Sequence, residues 1–310
     1  MSAKEKNKAV FIVGPTGVGK TAVGFALAEK ISGEIISADS RQMYREMSIG
    51  TDKPPEEYLS RIKHYFIDTL DPGAGYNSGE FGKDAREIIG DILRRDLTPI
   101  IVGGSGLYIK AIIEGFFEEN IKDSEIRNKL KARIEEEGTE KLYNELLEVD
   151  RRFAERISKN DGQRIVRGLE VYHTTGKPLT DHWKKNNIQL DFTPVLIGLI
   201  RPREVLYENI NIRVDKMIGS GLVSEVEKLR AAGYNLKHNS MQTYGYQEVF
   251  QYLEGQIGYD DMIGLIKKRT RNFAKRQLTW FKKMEGIVWL DATKGKELIV
   301  DNIIEKLNSV

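Results

Sequence analysis

Eight consecutive residues, Gly14, Pro15, Thr16, Gly17, Val18, Gly19, Lys20 and Thr21, carry the clearest chemistry in the chain. Their order is G-x-x-x-x-G-K-[ST], preceded by the apolar run Val10–Val13 and followed by a helical pattern, as a phosphate-binding P-loop requires. The glycines let backbone N–H groups turn inward around an anion, and the helix that opens there adds the positive end of its dipole. Lys20 supplies a point charge, and the Thr21 hydroxyl can ligate a Mg²⁺ shared with the phosphates. The chemistry is capture of a di- or triphosphate. The loop alone does not say which one, or what becomes of it.

Three other groups could act with it. Asp39 follows the short β-branched run Glu34–Ala38, which sets it at the carboxyl edge of a sheet, where open α/β sheets bind ligands. It is read either as a Mg²⁺ ligand or as a base for a nucleophile, against the plain alternative of a turn aspartate. The turn Gly103-Gly104-Ser105-Gly106 either brings a ligand close to the backbone or simply caps the following helix. Residues Met262–Met284 contain Lys267, Lys268, Arg269, Arg271, Lys275, Arg276, Lys282 and Lys283 and no acid, interleaved with Phe273, Trp280 and Phe281. Such a one-sign run reads as a nucleic-acid surface, with the cations on phosphates and the rings in packing.

The elements that must hold these groups alternate. Strands are expected at Ala9–Val13, Glu34–Ala38, His64–Asp68 and Pro99–Val102, with helices over 20–31, 78–95 and 107–113. Gly33 is the expected left-handed cap of the first helix and Ser78 the expected N-cap of the second. This alternation predicts a doubly wound parallel α/β sheet. From about Phe117 the pattern turns densely charged and helical, which reads as a helical insertion over 118–190 between core segments 1–117 and 191–310. Within it Arg164 and Arg167 share a helical face, and a solvated charged face is their plain reading. The strand 194–200 returns the chain to the core. Helices then follow at 203–218, with Arg213 in the later half, and at 222–232, 241–252 and 262–284, before a strand at 287–290 and a last helix.

Composition narrows the rest. With 310 residues, 40% hydrophobic and 30% charged, the chain is an ordinary globular one. No apolar run approaches the ~18 residues of a membrane span, and the first nine residues are polar, so the cytosol is the expected compartment. Zero Cys excludes disulfides, thiolate catalysis and cysteine-held zinc, and four scattered His speak against a histidine metal site.

The ordered runs GPTGVGKT, DSRQMY (39–44), IGTDKP (49–54), GGSGLY (103–108), DGQRIVRGLEV (161–171), TGKPL (175–179) and TRNFAKRQLTWF (270–281) together resemble the tRNA dimethylallyltransferase family in its bacterial form. The likeness spans nearly the whole chain. It implies a P-loop NTPase-like core that does not hydrolyse ATP but uses the loop to hold the pyrophosphate of dimethylallyl pyrophosphate with Mg²⁺. The prenyl group then passes to N6 of adenosine 37 in the anticodon arm of tRNA. On this resemblance Asp39 is the catalytic carboxylate and Arg213 the catalytic arginine that steadies the departing pyrophosphate. Gly14–Thr21 bind the donor, with Thr21 on the metal. Positions expected to meet tRNA are Asp39, Ser40, Arg41, Gln42, Ser105, Arg127, Gln163, Arg164, Ile165, Val166, Arg167, Gln242, Thr243, Tyr244, Gly245, Tyr246 and Gln247. Ser105 stands where Thr is usual and Gln247 where a basic residue is common. With no Cys in the sequence, the zinc-finger tail of eukaryotic relatives is not expected. A monomer without membrane contact is expected.

The chemistry agrees with these parts. An exocyclic adenine amine is a weak nucleophile that benefits from a placed carboxylate, the leaving group gathers negative charge that needs preorganised donors, and the base must leave its stack. Two rival readings are a P-loop small-molecule kinase, with Asp39 activating a hydroxyl, and a non-catalytic RNA-binding protein gated by the P-loop.

Overall fold

A computed structural model describes residues 7–115, 121, 123–183 and 188–309. The chain divides into two compact units, Met1–Ile113 with Leu190–Val310, and Glu114–Gln189. The change of pattern expected at Phe117 lies outside the described residues.

The larger unit is built on strands β1 (Lys8–Val13), β2 (Gly33–Ser37), β3 (His64–Tyr65), β4 (Thr98–Gly103), β5 (Thr193–Ile200) and β6 (Val288–Asp291). They form one sheet in the order β3-β2-β4-β1-β5-β6, and every pairing is parallel. Its helices are α1 (Lys20–Ile31), α2 (Glu56–Arg61), α3 (Ser78–Arg94) and α4 (Gly106–Ile113) before the insertion. The smaller unit contributes α5 (Ser124–Glu137), α6 (Thr139–Val149), α7 (Arg151–Ala154), α8 (Gly162–Thr175) and α9 (Leu179–Trp183). After it come α10 (Arg203–Gly219), α11 (Leu222–Ala231), a 3₁₀ turn Ser240–Gln242, α12 (Tyr246–Leu253), α13 (Tyr259–Phe281) and α14 (Lys296–Ser309).

Because strand side chains alternate, β1 feeds two cores. Ala9, Phe11 and Val13 join one with Phe81, Ile109 and Phe281, while Val10 and Ile12 join the other with Leu27, Ile210 and Ile303. The expected doubly wound parallel sheet is therefore present. A third core, including Leu130, Leu146, Ile165 and Leu169, belongs to the smaller unit alone.

Four local expectations are corrected. Helix α1 ends on Ser32 in the left-handed region (φ 51°), not on Gly33. Gly33 is glycine for another reason, since a Cβ there would lie 2.6 Å from Ile100 Cδ1. Helix α3 is capped by Asn77, whose side chain accepts from Gly79 and Glu80 N–H while Glu80 returns the bond, so Ser78 is the first helical residue. The expected strand 64–68 stops at Tyr65 because Phe66 and Asp68 turn to positive φ. The helix expected over 241–252 is broken at Gly245 (φ 98°), where α12 starts afresh.

Candidate active site

Strand register brings the site together. Val13 pairs with Gly103 on one side and Gly198 on the other, and Ser37 pairs with Val102. The chain therefore leaves β1, β2 and β4 at one level, delivering Gly14, Asp39 and Gly104 to the same edge. From the neighbouring strands β1 and β4, helix α1 departs toward one core and α4 toward the other. That divergence is a topological switch point, where a parallel sheet opens a crevice. A cavity of about 460 Å³ lies there, lined among others by Thr16, Lys20, Thr21, Asp39, Asp52 and Arg213.

The P-loop is held from outside. Gly14 lies so close to β5 that a Cβ would sit 2.7 Å from the Leu199 carbonyl oxygen, and Gly17 and Gly19 have φ of 79° and 105°. Asn209 Nδ2 donates to the Gly17 carbonyl at 3.2 Å and Arg201 Nε to the Val18 carbonyl at 3.1 Å. A trans peptide points its N–H opposite its C=O, so these two bonds turn the N–H groups of Val18 and Gly19 the other way. Thr16 Oγ1 accepts from Arg213 Nη1 at 2.5 Å. Arg213 also meets Asp52 Oδ2 at 3.1 Å, and Asp52 is held with φ 53°. The Lys20 ammonium donates to the Pro15 carbonyl at 2.8 Å. Burial lowers its pKa to about 8; Asp39 opposes that shift, Arg213 reinforces it and Asp52 opposes it.

Asp39 is a turn aspartate that also lines the cavity. One carboxylate oxygen accepts the Arg41 N–H at 2.9 Å, a turn contact, yet the residue also lines the cavity beside Lys20. Ser40 N–H reaches Ser105 Oγ at 3.3 Å, and Ser105 N–H donates to the Ala38 carbonyl at 3.2 Å. The second glycine turn thus packs closely on protein, and its Gly103, Gly104 and Ser105 also line the cavity. A Cβ on Gly103 would lie 2.1 Å from the Ala38 carbonyl oxygen, and one on Gly106 would lie 2.2 Å from the Trp280 ring. Gln42 accepts from Ser37 Oγ and donates to the Asp52 carbonyl, at 2.9 and 3.0 Å. Glu225 fixes the other end of the same loop, accepting N–H groups of Ser48, Ile49 and Gly50 and the Tyr246 hydroxyl.

Several sequence-expected positions do not present side chains to a ligand. Tyr246 and Gly245 are buried; burial, reinforced by the charge of the Glu225 carboxylate it bonds, raises the tyrosine's pKa. Gln242, Thr243 and Tyr244 do line the cavity, whereas Gln247 spends its amide on the Gln242 carbonyl and on Arg269. In the smaller unit Ile165 and Val166 are core residues, which leaves Gln163, Arg164 and Arg167 as the reachable side chains of that run. Arg127 and Arg167 converge on Glu170, itself fully buried, at 2.7 and 2.9 Å. Arg164 is exposed and meets Asp161. Arg127 and Gln163–Arg167 belong to the smaller unit, and the cavity lining is drawn wholly from the larger one.

The basic run resolves into separate faces of α13. Lys267 pairs with Asp215 and Arg271 donates to Asn211, two rungs against α10. Arg269 pairs with buried Glu248. Arg276 donates to the Tyr244 hydroxyl at 2.8 Å and lies over the Tyr244 and Phe273 rings. Phe273 lines the cavity, Trp280 is partly exposed, and only Phe281 is fully buried. Lys268, Lys275, Lys282 and Lys283 are exposed, with no ion-pair partner among the described residues. Sequence reading missed Asp52, Arg201, Asn209 and Gln277. Two of these lie inside runs it had marked, IGTDKP and TRNFAKRQLTWF.

The sequence model of the IPP transferase family matches residues 42–284. The chain is 44% identical over 302 residues to the tRNA dimethylallyltransferase of Carboxydothermus hydrogenoformans, covering 97% of this chain and 96% of that one. It is also 44% identical to the tRNA dimethylallyltransferase of Thermotoga maritima, with coverages of 95% and 99%. Among solved structures, the full-length tRNA isopentenylpyrophosphate transferase of Bacillus halodurans superposes with a TM-score of 0.72 at 36% identity, over 98% of this chain and 97% of that one. A eukaryotic dimethylallyltransferase solved acting on tRNA gives 0.76 at 30% identity, over 92% of this chain and 74% of that one. Likeness of this extent, in sequence and in fold, covers the switch-point crevice together with both compact units: the chain is a transferase and belongs to the IPP transferase family.

Proposed function

We propose that the chain transfers a dimethylallyl group from dimethylallyl pyrophosphate to N6 of adenosine 37 in the anticodon arm of tRNA, releasing pyrophosphate. The observation that carries this reading is one cavity in which a carboxylate, Asp39, faces a phosphate-binding set of Lys20, Thr21 and Arg213. Lys20 and Arg213 hold the pyrophosphate. The adenine amine attacks the allylic carbon, an N–C bond forms as the C–O bond breaks, Asp39 accepts the amine proton, and the electron pair leaves on the pyrophosphate oxygen. The growing charge there is what the two cations and the P-loop N–H groups stabilise.

Among the described residues no cluster of three His, Cys, Asp or Glu could cage a metal. A hydroxyl beside bound phosphates instead suits Mg²⁺, which favours one or two protein ligands plus phosphate oxygens. Thr21 would hold it. Mg²⁺ bound there would neutralise part of the pyrophosphate charge. Lys268, Lys275, Lys282 and Lys283 would meet tRNA phosphates, and Tyr244, Phe273 and Arg276 would receive the flipped nucleotide at the cavity rim. No helix among the described residues is long and apolar enough to cross a membrane, and the reading has the enzyme act as a monomer in the cytoplasm.

The test is mass spectrometry of tRNA nucleosides after incubation with isotope-labelled donor. Labelled N6-dimethylallyladenosine is expected. Its absence, with ATP consumed in its place, would favour the kinase reading.

A further inference from the structure

Helix α13 does more than carry cations. Ile266, Thr270, Phe273 and Gln277, spaced four, three and four residues apart, form a single stripe along the cavity wall. Gln277 is the buried member of this stripe nearest the P-loop, only 8% exposed, and both ends of its amide are committed. Its Oε1 accepts the Thr16 N–H at 2.9 Å, and its Nε2 donates to the Gly104 carbonyl at 2.9 Å. The partners fix the amide's orientation, because an N–H can only donate and a carbonyl can only accept. The fit is tight: a Cβ at Gly104 would lie 2.2 Å from Gln277 Nε2.

We propose that Gln277 is a positioning residue for the donor site. It clamps the P-loop to the second glycine turn and holds Thr16 where its hydroxyl receives Arg213. This rests on the reading of the P-loop as the pyrophosphate site. Two separate contacts support this role. First, the Thr16 N–H is consumed by a side chain, so Thr16 is committed to shaping the loop and to Arg213 through its hydroxyl, 2.5 Å from Nη1. Second, the same amide secures Gly104, next to Ser105, whose hydroxyl accepts the Ser40 N–H behind Asp39. One side chain therefore registers the group that answers the leaving group against the segment that carries the carboxylate. Misplacement of reacting groups by about 1 Å can cost on the order of 100-fold in rate, and a lost clamp between two loops permits such a shift.

The experiment uses the full chain in two backgrounds, wild type and Arg213→Ala, each alone and with Gln277→Leu or Gln277→Glu. Leucine removes both bonds. Glutamate is isosteric, can still accept from Thr16 N–H, and cannot donate to Gly104 when ionised. Readouts are kcat/KM for dimethylallyl pyrophosphate at saturating tRNA, tRNA Kd without donor, and melting temperature. We expect Gln277→Leu to lower donor kcat/KM about 10- to 100-fold with tRNA Kd within about twofold. Gln277→Glu should fall between it and wild type, which keeps the test intact where the leucine variant folds poorly. In the Arg213→Ala background the added cost of either change should shrink to about twofold, because residues acting through one another are not additive. Full additivity with Arg213→Ala, or unchanged donor kcat/KM in both variants, would overturn the proposal. A wild-type enzyme that shows no turnover of this donor would instead overturn the functional reading on which it rests.

Discussion

The crevice and the insertion both gather arginines around carboxylates, and they use them oppositely. In the crevice Arg213 meets Asp52, which is more than half exposed, and shares a cavity with Lys20 and Asp39. A polyanion arriving there can exchange one carboxylate partner for phosphate. In the insertion Arg127 and Arg167 clasp Glu170, which has no exposed surface at all. Breaking that cluster strands a buried charge. The same residue types are therefore addressable in one place and structural in the other, and the burial of the acid decides which.

The sharpest way to break this contrast is at Asp39. Asp39→Ala should lower kcat by about 10²–10⁴-fold while leaving tRNA affinity nearly intact, as single-turnover rates and filter binding would show. A near-normal rate would remove Asp39 from the chemistry, and lost donor binding would return it to the metal-ligand role. In the insertion the matching change is Glu170→Ala, which should cost about 1–3 kcal/mol of stability. Hydrogen exchange on α5 and α8 reads that loss directly, and protection equal to wild type would show that the arginines need no buried partner.

Proton linkage gives a smaller effect. The Lys20 pKa of about 8 lies below its usual value because the buried ammonium is desolvated. Its charged form is what pyrophosphate needs, so donor kcat/KM should fall as pH rises through about 8, by roughly tenfold between pH 7 and 9. The same depression means the folded state holds this proton less tightly than the unfolded chain does. Its contribution to stability consequently improves as pH climbs from about 8 toward the unfolded value. A flat donor profile across that range would show that Lys20 does not titrate there.

Salt dependence gives the smallest effect. Neutralising Lys268, Lys275 and Lys282 should reduce the log–log salt slope of tRNA binding by somewhat less than ~1 per lost contact. Neutralising Lys267 and Arg271 should leave the slope nearly unchanged, since both are spent on α10. Equal slopes for the two sets would mean that the outward face of α13 is not an RNA surface.

How much of this was legible in the chain follows the same division. The strand–turn–helix units, the parallel sheet and the P-loop follow from local period and glycine spacing, and the structure has them where the sequence led us to expect them. The Ser32 cap, the early end of β3 and the break at Gly245 each turn on positive φ at residues whose type alone does not announce it, and the Asn77 cap turns on which of two adjacent polar side chains reaches the Gly79 and Glu80 N–H groups. Gln277, Asn209 and Arg201 were invisible for another reason. Their partners lie in the P-loop, far away in sequence, and only the folded sheet brings them into reach. The charges of α13 fall between these cases: their sign was readable, but their partners on α10 and α12 were not.

The placement of β1 has a consequence for how the protein is made. This strand is central, hydrogen-bonded to β4 on one side and to β5 on the other, with Lys8 opposite Thr193. During synthesis the ribosome releases β1 early, and its second neighbour emerges only after the entire insertion has been translated. The nascent chain therefore carries an apolar strand with one unsatisfied edge through that interval, while the insertion, whose contacts are local, is free to fold first. Such non-local closure slows folding. Ribosome-bound chains truncated before Thr193 should bind holdase chaperones, and chains extended past Ile200 should release them.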